Sequence, residues 1–297
     1  MTRSDRHRLL RSCLAACCLG GALLLLRSSS ATAAEPARRA HSAQAERDQL
    51  CAQLIKPDTT EQAFELVQRL AETRSAAATA CLVQALLAGQ ADAVTDRILD
   101  ALGETTEPTA LDALVRFTRH RRAQARGHAY AALARARGAA AAAWLEHGLR
   151  DSDAGVRALA ARALGEHGGA SALDSLLRAL GRGEAEAAIA IGKLGDAASL
   201  QRFAAYLGKQ PLDVMLAGYQ RYLERSDLDR ATKLHIVATL EDITGEPVRA
   251  FMQSLLAQPS IAADAQLSGA LRGSLSRLRH AGKPAAAAAA PRAEPSR

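Results

Sequence analysis

An all-α fold, a right-handed α-solenoid of about six to seven stacked helix pairs, is what this sequence predicts. Three observations carry that expectation. Hydrophobic residues make up 48% of the 297-residue chain but aromatics only 3%, so Ala and Leu supply the core. Both are strong helix formers, and Ala lets helices approach closely. A leucine followed by a small residue then recurs: Leu70-Ala71, Leu102-Gly103, Leu133-Ala134, Leu164-Gly165 and Leu194-Gly195, at steps of 32, 31, 31 and 30 residues. That length suits one helix–turn–helix unit. Finally, apolar residues inside each unit fall at helical spacing, and β-branched runs are lacking.

The first segment reads as an export signal. Arg3, Arg6, Arg8 and Arg11 form a basic stretch, Cys13 to Leu26 is apolar, and Ala31-Thr32-Ala33 and Thr32-Ala33-Ala34 both suit cleavage. Residues 1–34 are therefore expected to be a signal peptide and 35–45 a flexible lead-in. The apolar stretch is shorter than the ~20 residues of a membrane helix, so membrane contact is expected only if the segment stays attached. Leu14-Ala15-Ala16-Cys17 resembles a lipobox, yet most of the apolar stretch follows Cys17. After removal of the signal the cysteines left are Cys51 and Cys81. An oxidising compartment would allow them to pair; two small buried thiols are the alternative.

The repeat body is expected over 46–280. Its clearest unit is 151–180. Asp151-Ser152-Asp153 offers N-cap oxygens, and Val156, Ala160, Ala163 and Leu164 share one helix face. Gly168-Gly169 offers a left-handed stop. Leu173, Leu176, Leu177 and Leu180 then make the stripe of a second helix, closed by Gly181. In 91–119 the stripes are Val94, Ile98, Leu102 and Leu111, Leu114, Val115, with Pro108 opening the second helix. Arg126 falls 31 residues before Arg157. Beyond Gln210 the period loosens. Helices are expected over 211–224 and 228–243, another after Gly245-Glu246-Pro247, and a polar capping helix over 262–280. Residues 281–297 are alanine- and proline-rich and are expected to be disordered.

The run Asp153…Val156-Arg157…Ala160-Ala161…Ala163-Leu164-Gly165 resembles the HEAT-like repeat of the phycobilisome-lyase type. The resemblance covers 91–207 well and extends over 46–280. It implies a curved scaffold whose second helices line the concave surface. Enzymes share this repeat. Deoxyhypusine hydroxylases hold iron with His-Glu pairs, whereas this chain has only the reversed Glu146-His147 and Glu166-His167. No His-x-x-x-His or Cys-x-x-Cys occurs in the mature chain, and neither a Gly-x-Ser-x-Gly nor a phosphate loop is present. The resemblance to phycobilin lyases transfers no catalytic position. No cofactor and no metal are expected.

Net charge is +7, but residues 1–34 carry +4 and 281–297 carry +2, which leaves the body near +1. Nucleic-acid binding is therefore not expected. The exception is local: Arg116, Arg119, His120, Arg121, Arg122 and Arg126 cluster between two units. Such a cluster is a docking patch for an acidic partner or a set of helix-end arginines favoured by the dipole. Asp112/Arg116 and Asp174/Arg178 are i, i+4 pairs 62 residues apart. They form a polar ladder or simply stabilise their helices. Trp144 lies between them, as a contact hot spot or as packing.

The reading that follows is a non-enzymatic scaffold in the bacterial envelope, periplasmic or secreted. It binds a protein or peptide through Asp112, Arg116, Arg119, Arg122, Trp144, Asp174 and Arg178. The alternatives are an enzyme of the phycobilin-lyase-like or metal-dependent class, and nucleic-acid binding through residues 116–126.

Overall fold

A computed structural model describes residues 29–136, 139–243 and 245–281. Most of the expected signal peptide, residues 1–28, and the tail after Ala281 lie outside these ranges. The segment 35–45, expected as a flexible lead-in, belongs instead to a helix, α1 (Ser29–Ile55). The reason is local: from Ala37 to Lys56 no Gly or Pro interrupts a run rich in Ala, Arg, Gln and Glu. Among the described residues there is no β-strand. No helix among them is long and apolar enough to cross a membrane.

The chain is an all-α solenoid of two layers. The first helices of the units are α2 (Thr60–Glu72), α4 (Asp92–Leu102), α6 (Ala123–Ala136), α8 (Ala154–His167), α10 (Ala185–Leu194) and α12 (Leu212–Glu224). They stack on one another in chain order. The second helices are α3 (Ala76–Ala88), α5 (Pro108–Phe117), α7 (Ala139–Gly148), α9 (Leu173–Gly181) and α11 (Ala197–Ala204), and α1 opens their layer. The core lies between the layers. Leu70, Ile98, Leu102, Leu133, Leu164 and Ile191 enter it from one side, and Leu82, Leu114, Leu145, Leu176, Leu180 and Phe203 from the other. Each such side chain contributes about 1.5–3 kcal/mol when fully buried. A single pair of helices has nowhere to bury its stripe, so stability belongs to the stack.

The two layers are not equally dense. In the central units the first helices pack closely along the stack while the second helices stand apart. Small residues cause this. A Cβ on Gly103 would lie 2.8 Å from the Cα of Ala132, and one on Gly165 would lie 2.8 Å from the Cα of Ala190. A Cβ on Gly192 would run into the carbonyl of Gly218. Backbone thus meets backbone from α4 to α6, from α8 to α10 and from α10 to α12. A two-layer stack bends toward the layer with the shorter spacing. The first helices therefore line the inner side, and the expectation that second helices do so is corrected.

Side-chain caps start several helices. Thr59, Ser75, Asp153 and Asp229 each accept the backbone N–H three residues on, and Asp196 with Ser199 makes a capping box. Gly168 departs from the left-handed stop expected of it, with φ −75°. It is needed instead for close approach, because its N–H bonds the Leu164 carbonyl at 2.7 Å and a Cβ would strike that oxygen. The left-handed position of this unit is Gly183, at φ 88°.

The two ends close differently. At the N-terminal end a disulfide joins Cys51 on α1 to Cys81 on α3. At the other end α13 (Arg230–Glu241), α14 (Glu246–Leu256), the short α15 (Pro259–Ala262) and α16 (Ala265–Ala281) break the 31-residue step. Here α16 packs across α13 and α14. An aromatic cluster marks the change: Phe203 meets Tyr219 edge-on at 5.1 Å and Tyr222 at 6.0 Å.

Candidate functional site

The structure distributes the sequence-derived site residues unevenly. On α5, Asp112 and Arg116 are exposed and make no ion pair with each other. On α9, Asp174 pairs with Arg202 of the following unit at 2.6 Å, while Arg178 donates to Ser175 Oγ at 3.0 Å. Neither i, i+4 pair closes on itself, and all four side chains are exposed on their second helices. Trp144 is half-buried against the core. Its ring stacks with His147 at 5.3 Å and is covered by the Arg119 guanidinium, 5.8 Å from its centroid. This contact brings two predicted residues together, but it closes the indole rather than offering it.

Two of the five arginines in the basic cluster, Arg122 and Arg126, are neutralised by carboxylates, while Arg116, Arg119 and Arg121 are exposed without an ion pair among the described residues. Arg122 bonds Asp92 at 3.0 Å and Asp96 at 2.8 Å, which removes it from the list of free partner-binding groups. Arg126 grips Asp151 with two bonds of 2.7 and 2.8 Å. Burial opposes ionisation of Asp151, but the Arg126 hydrogen bond and the Asp153 amide outweigh it and hold that carboxyl below its ordinary range. Arg126 also donates to the carbonyls of His120 and Arg121, and Arg157, 31 residues on, donates to those of Asp151 and Ser152. The repeated arginine is thus a fastener for each inter-unit loop. The acids that neutralise the cluster lie about one unit away in sequence, so the run alone looked like a patch.

The opposite face, over the first helices, holds two adjoining concavities. A groove of about 520 Å³ runs over α6 and α8, with Gly127, His128, Ala131, Gly155, Leu159 and Asp100 among its lining. A second, of about 440 Å³, adjoins it between α2, α4 and α6, with Gln68, Arg74, Arg97, Glu104 and Arg135, and with Asp100 again. Asp100 sits where they meet. It lies 2.9 Å from His128 Nδ1 and 3.5 Å from Arg135, which also bonds Glu104 at 3.1 Å. Asp96 lies 4.0 Å from the other ring nitrogen of His128.

Two features of these grooves are unusual. Gly127 is in the middle of a helix, where Gly costs about 1 kcal/mol relative to Ala. A Cβ there would meet nothing within 4 Å, so neither packing nor backbone requires the glycine. Arg74 has φ 45°, the only non-Gly residue in the left-handed region among those described. An L-residue there costs roughly 1–2 kcal/mol. The structure shows no ion pair or hydrogen bond from the side chain of Arg74 or of Arg97, and both are exposed.

Sequence reasoning missed this site, although a signal existed. Arg97, His128 and Leu159 recur at steps of 31 residues, as do Asp96, Gly127 and Ala158. Except for the buried Asp96, these are exposed or half-buried positions of α4, α6 and α8 beside the buried stripes. Among the described residues no group of three or more His, Cys, Asp or Glu is placed to hold a metal ion.

Comparison with known proteins gives a family match over part of the chain and solved structures of low identity. A search of curated proteins gives no match. Among solved structures, human deoxyhypusine hydroxylase is 17% identical, with a TM-score of 0.40, over 81% of this chain and 98% of that one. The complex of CpcE and CpcF of phycocyanin lyase from Nostoc is 15% identical, with a TM-score of 0.40, over 78% and 94%. Kap121p bound to Ste12p is 16% identical, with a TM-score of 0.39, over 77% of this chain and 29% of that one. Residues 117–186, from the end of α5 to the start of α10, match the family model of HEAT repeats.

Proposed function

We propose that this chain is an exported, non-enzymatic scaffold that holds an extended segment of a partner protein along its first-helix face. The observation that carries the proposal is the pair of adjoining grooves meeting at Asp100. Solenoids of this kind present extended concave surfaces for binding, and the grooves over α4, α6 and α8 support that face as the binding one. The charged groups between the grooves are occupied with one another, as Asp100 is with His128 and Arg135. They serve to shape a surface and do not stand as a nucleophile with its base. Export is supported by the Cys51–Cys81 disulfide, a bond favoured by oxidising compartments, together with the signal-like first 34 residues.

Site-specific photocrosslinking tests the reading. A crosslinker at Ala131, in the groove, and one at Ala143, exposed on α7, are compared in the native envelope fraction. A discrete protein adduct from position 131 and none from 143 is the expected result. The reverse pattern would move the function to the outer face. Sequencing the mature N-terminus addresses export: a start just after Ala33 or Ala34 is expected.

A further inference from the structure

We infer that the segment this scaffold accepts is acidic and carries one apolar anchor: the anchor lies over Gly127, and a carboxylate is taken by Arg74 and Arg97. The inference rests on the first-helix face being the binding face, and it adds the chemistry of what binds there. Three observations converge on it. Both arginines line the same groove, both are exposed, and neither has an anionic partner among the described residues. The other arginine of that groove, Arg135, is already held by Asp100 and Glu104. Glu72 lines the groove too, hydrogen-bonded to Gln68, so the guanidinia without an ion pair number two against one such carboxylate, and a carboxylate from a partner would complete the set.

Arg74 sits where a helix is leaving α2 in the left-handed conformation, at φ 45°. Glycine is the residue such a position favours. An arginine kept there is kept for its side chain. The neighbouring groove is complementary in kind. Its floor combines Ala123, Ala131, Val156 and Leu159 with two glycines, Gly127 and Gly155. The missing Cβ at Gly127 leaves open space inside the groove, enough for a partner's backbone or apolar side chain to approach the helix. The grooves share Asp100, so the anchor and the acid belong to one short stretch of extended chain, with Asp100 and His128 between them.

The test is selection of a random peptide library on the intact folded chain, followed by affinity measurements on the enriched peptides. Gly127→Leu, Arg97→Glu and Arg74→Gly are compared with wild type, and melting temperature shows that each variant is folded. Enriched peptides are expected to share an acidic residue near a Leu, Ile or Phe. They should lose about ten-fold or more in affinity on Gly127→Leu and on Arg97→Glu. Arg74→Gly should weaken binding while raising the melting temperature. Replacing the peptide's acid by Lys should restore binding to Arg97→Glu. Peptides that depend on Gly127 but lack an acid and ignore Arg97→Glu would overturn the acidic assignment and leave the binding face intact. No enrichment, or enrichment blind to Gly127→Leu, would overturn both. A single-stranded oligonucleotide bound at the same arginines more tightly than any peptide would replace the protein partner. Truncation after Ala281 that strengthens peptide binding would assign the groove to the chain's own tail.

Discussion

The two layers of this solenoid are built from the same alphabet of Ala, Leu and Arg, yet they do different work. In the first-helix layer glycines at Gly103, Gly165, Gly192 and Gly218 draw backbones together, and the space between units disappears. In the second-helix layer Leu145, Leu176 and Leu180 reach inward from helices that scarcely touch along the stack. One layer is fixed by backbone contact, the other by side chains inserted into a shared core. The inner layer is therefore rigid, and its outward positions can be spent on grooves.

Core truncation offers the largest test of that contrast. Leu164→Ala and Leu176→Ala should each cost about 2–5 kcal/mol in urea melts. Leu164, in the tight layer, should stand at the upper end, because the helices around it have no room to relax into the hole. Equal or reversed costs would break the comparison. Removing the disulfide with Cys51→Ser and Cys81→Ser should cost about 3–4 kcal/mol for the 30-residue loop it closes. That loss should appear as a separate early transition, since α1 and α3 both belong to the looser layer.

Glycine substitutions sharpen the contrast by sign. Gly165→Ala pushes a methyl into Ala190 and should cost about 1–3 kcal/mol. Gly127→Ala, in the same layer but facing the groove, should gain about 0.5–1 kcal/mol by thermal melting. A smaller pair lies in the aromatic cluster. The hydroxyl of Tyr219 is buried without a hydrogen-bond partner, whereas that of Tyr222 lies 3.1 Å from Ser199 Oγ. Tyr219→Phe should therefore stabilise by about 1 kcal/mol and Tyr222→Phe destabilise by about as much.

The mildest effect is expected at the C-terminal cap. Arg277 and Ser274 on α16 hold the Glu241 carboxyl on α13 down to about 2, from an ordinary 4.5. A depressed carboxyl stabilises the fold above its unfolded value. This contribution is complete above pH 4.5 and fades as pH falls toward 2. Glu241→Gln should flatten that part of the stability–pH curve, with a small loss of stability at neutral pH and no change near pH 2.

Much of the fold was legible in the chain. The stripes Val94, Ile98, Leu102 and Leu111, Leu114, Val115 announce two helices with one buried face each, and burial between layers follows from the period. Which layer lies inside was not legible. It depends on contacts such as Gly165 to Ala190, between residues of adjacent units, and a glycine at a helix end reads equally well as a stop. Gly168 illustrates the same ambiguity, being chosen for proximity to a carbonyl and not for a left-handed turn. The site suffered from distance as well. Arg122 and Arg126 look unpaired beside their sequence neighbours, while Asp96 and Asp151 wait about one unit away. Arg74 and Arg97, by contrast, are inconspicuous in sequence and stand unpaired in space.

The disulfide also gives the molecule a polarity. A linear array comes apart like a zipper, from whichever terminus frays first. With α1 bolted to α3, the first unit stays registered even when its weaker contacts open, so unzipping starts at α16 and travels backward through the stack. Reduction would turn the direction around. The redox state of Cys51 and Cys81 thus decides which end of the array yields, and whether the Arg74–Arg97 groove is among the last parts to open or among the first.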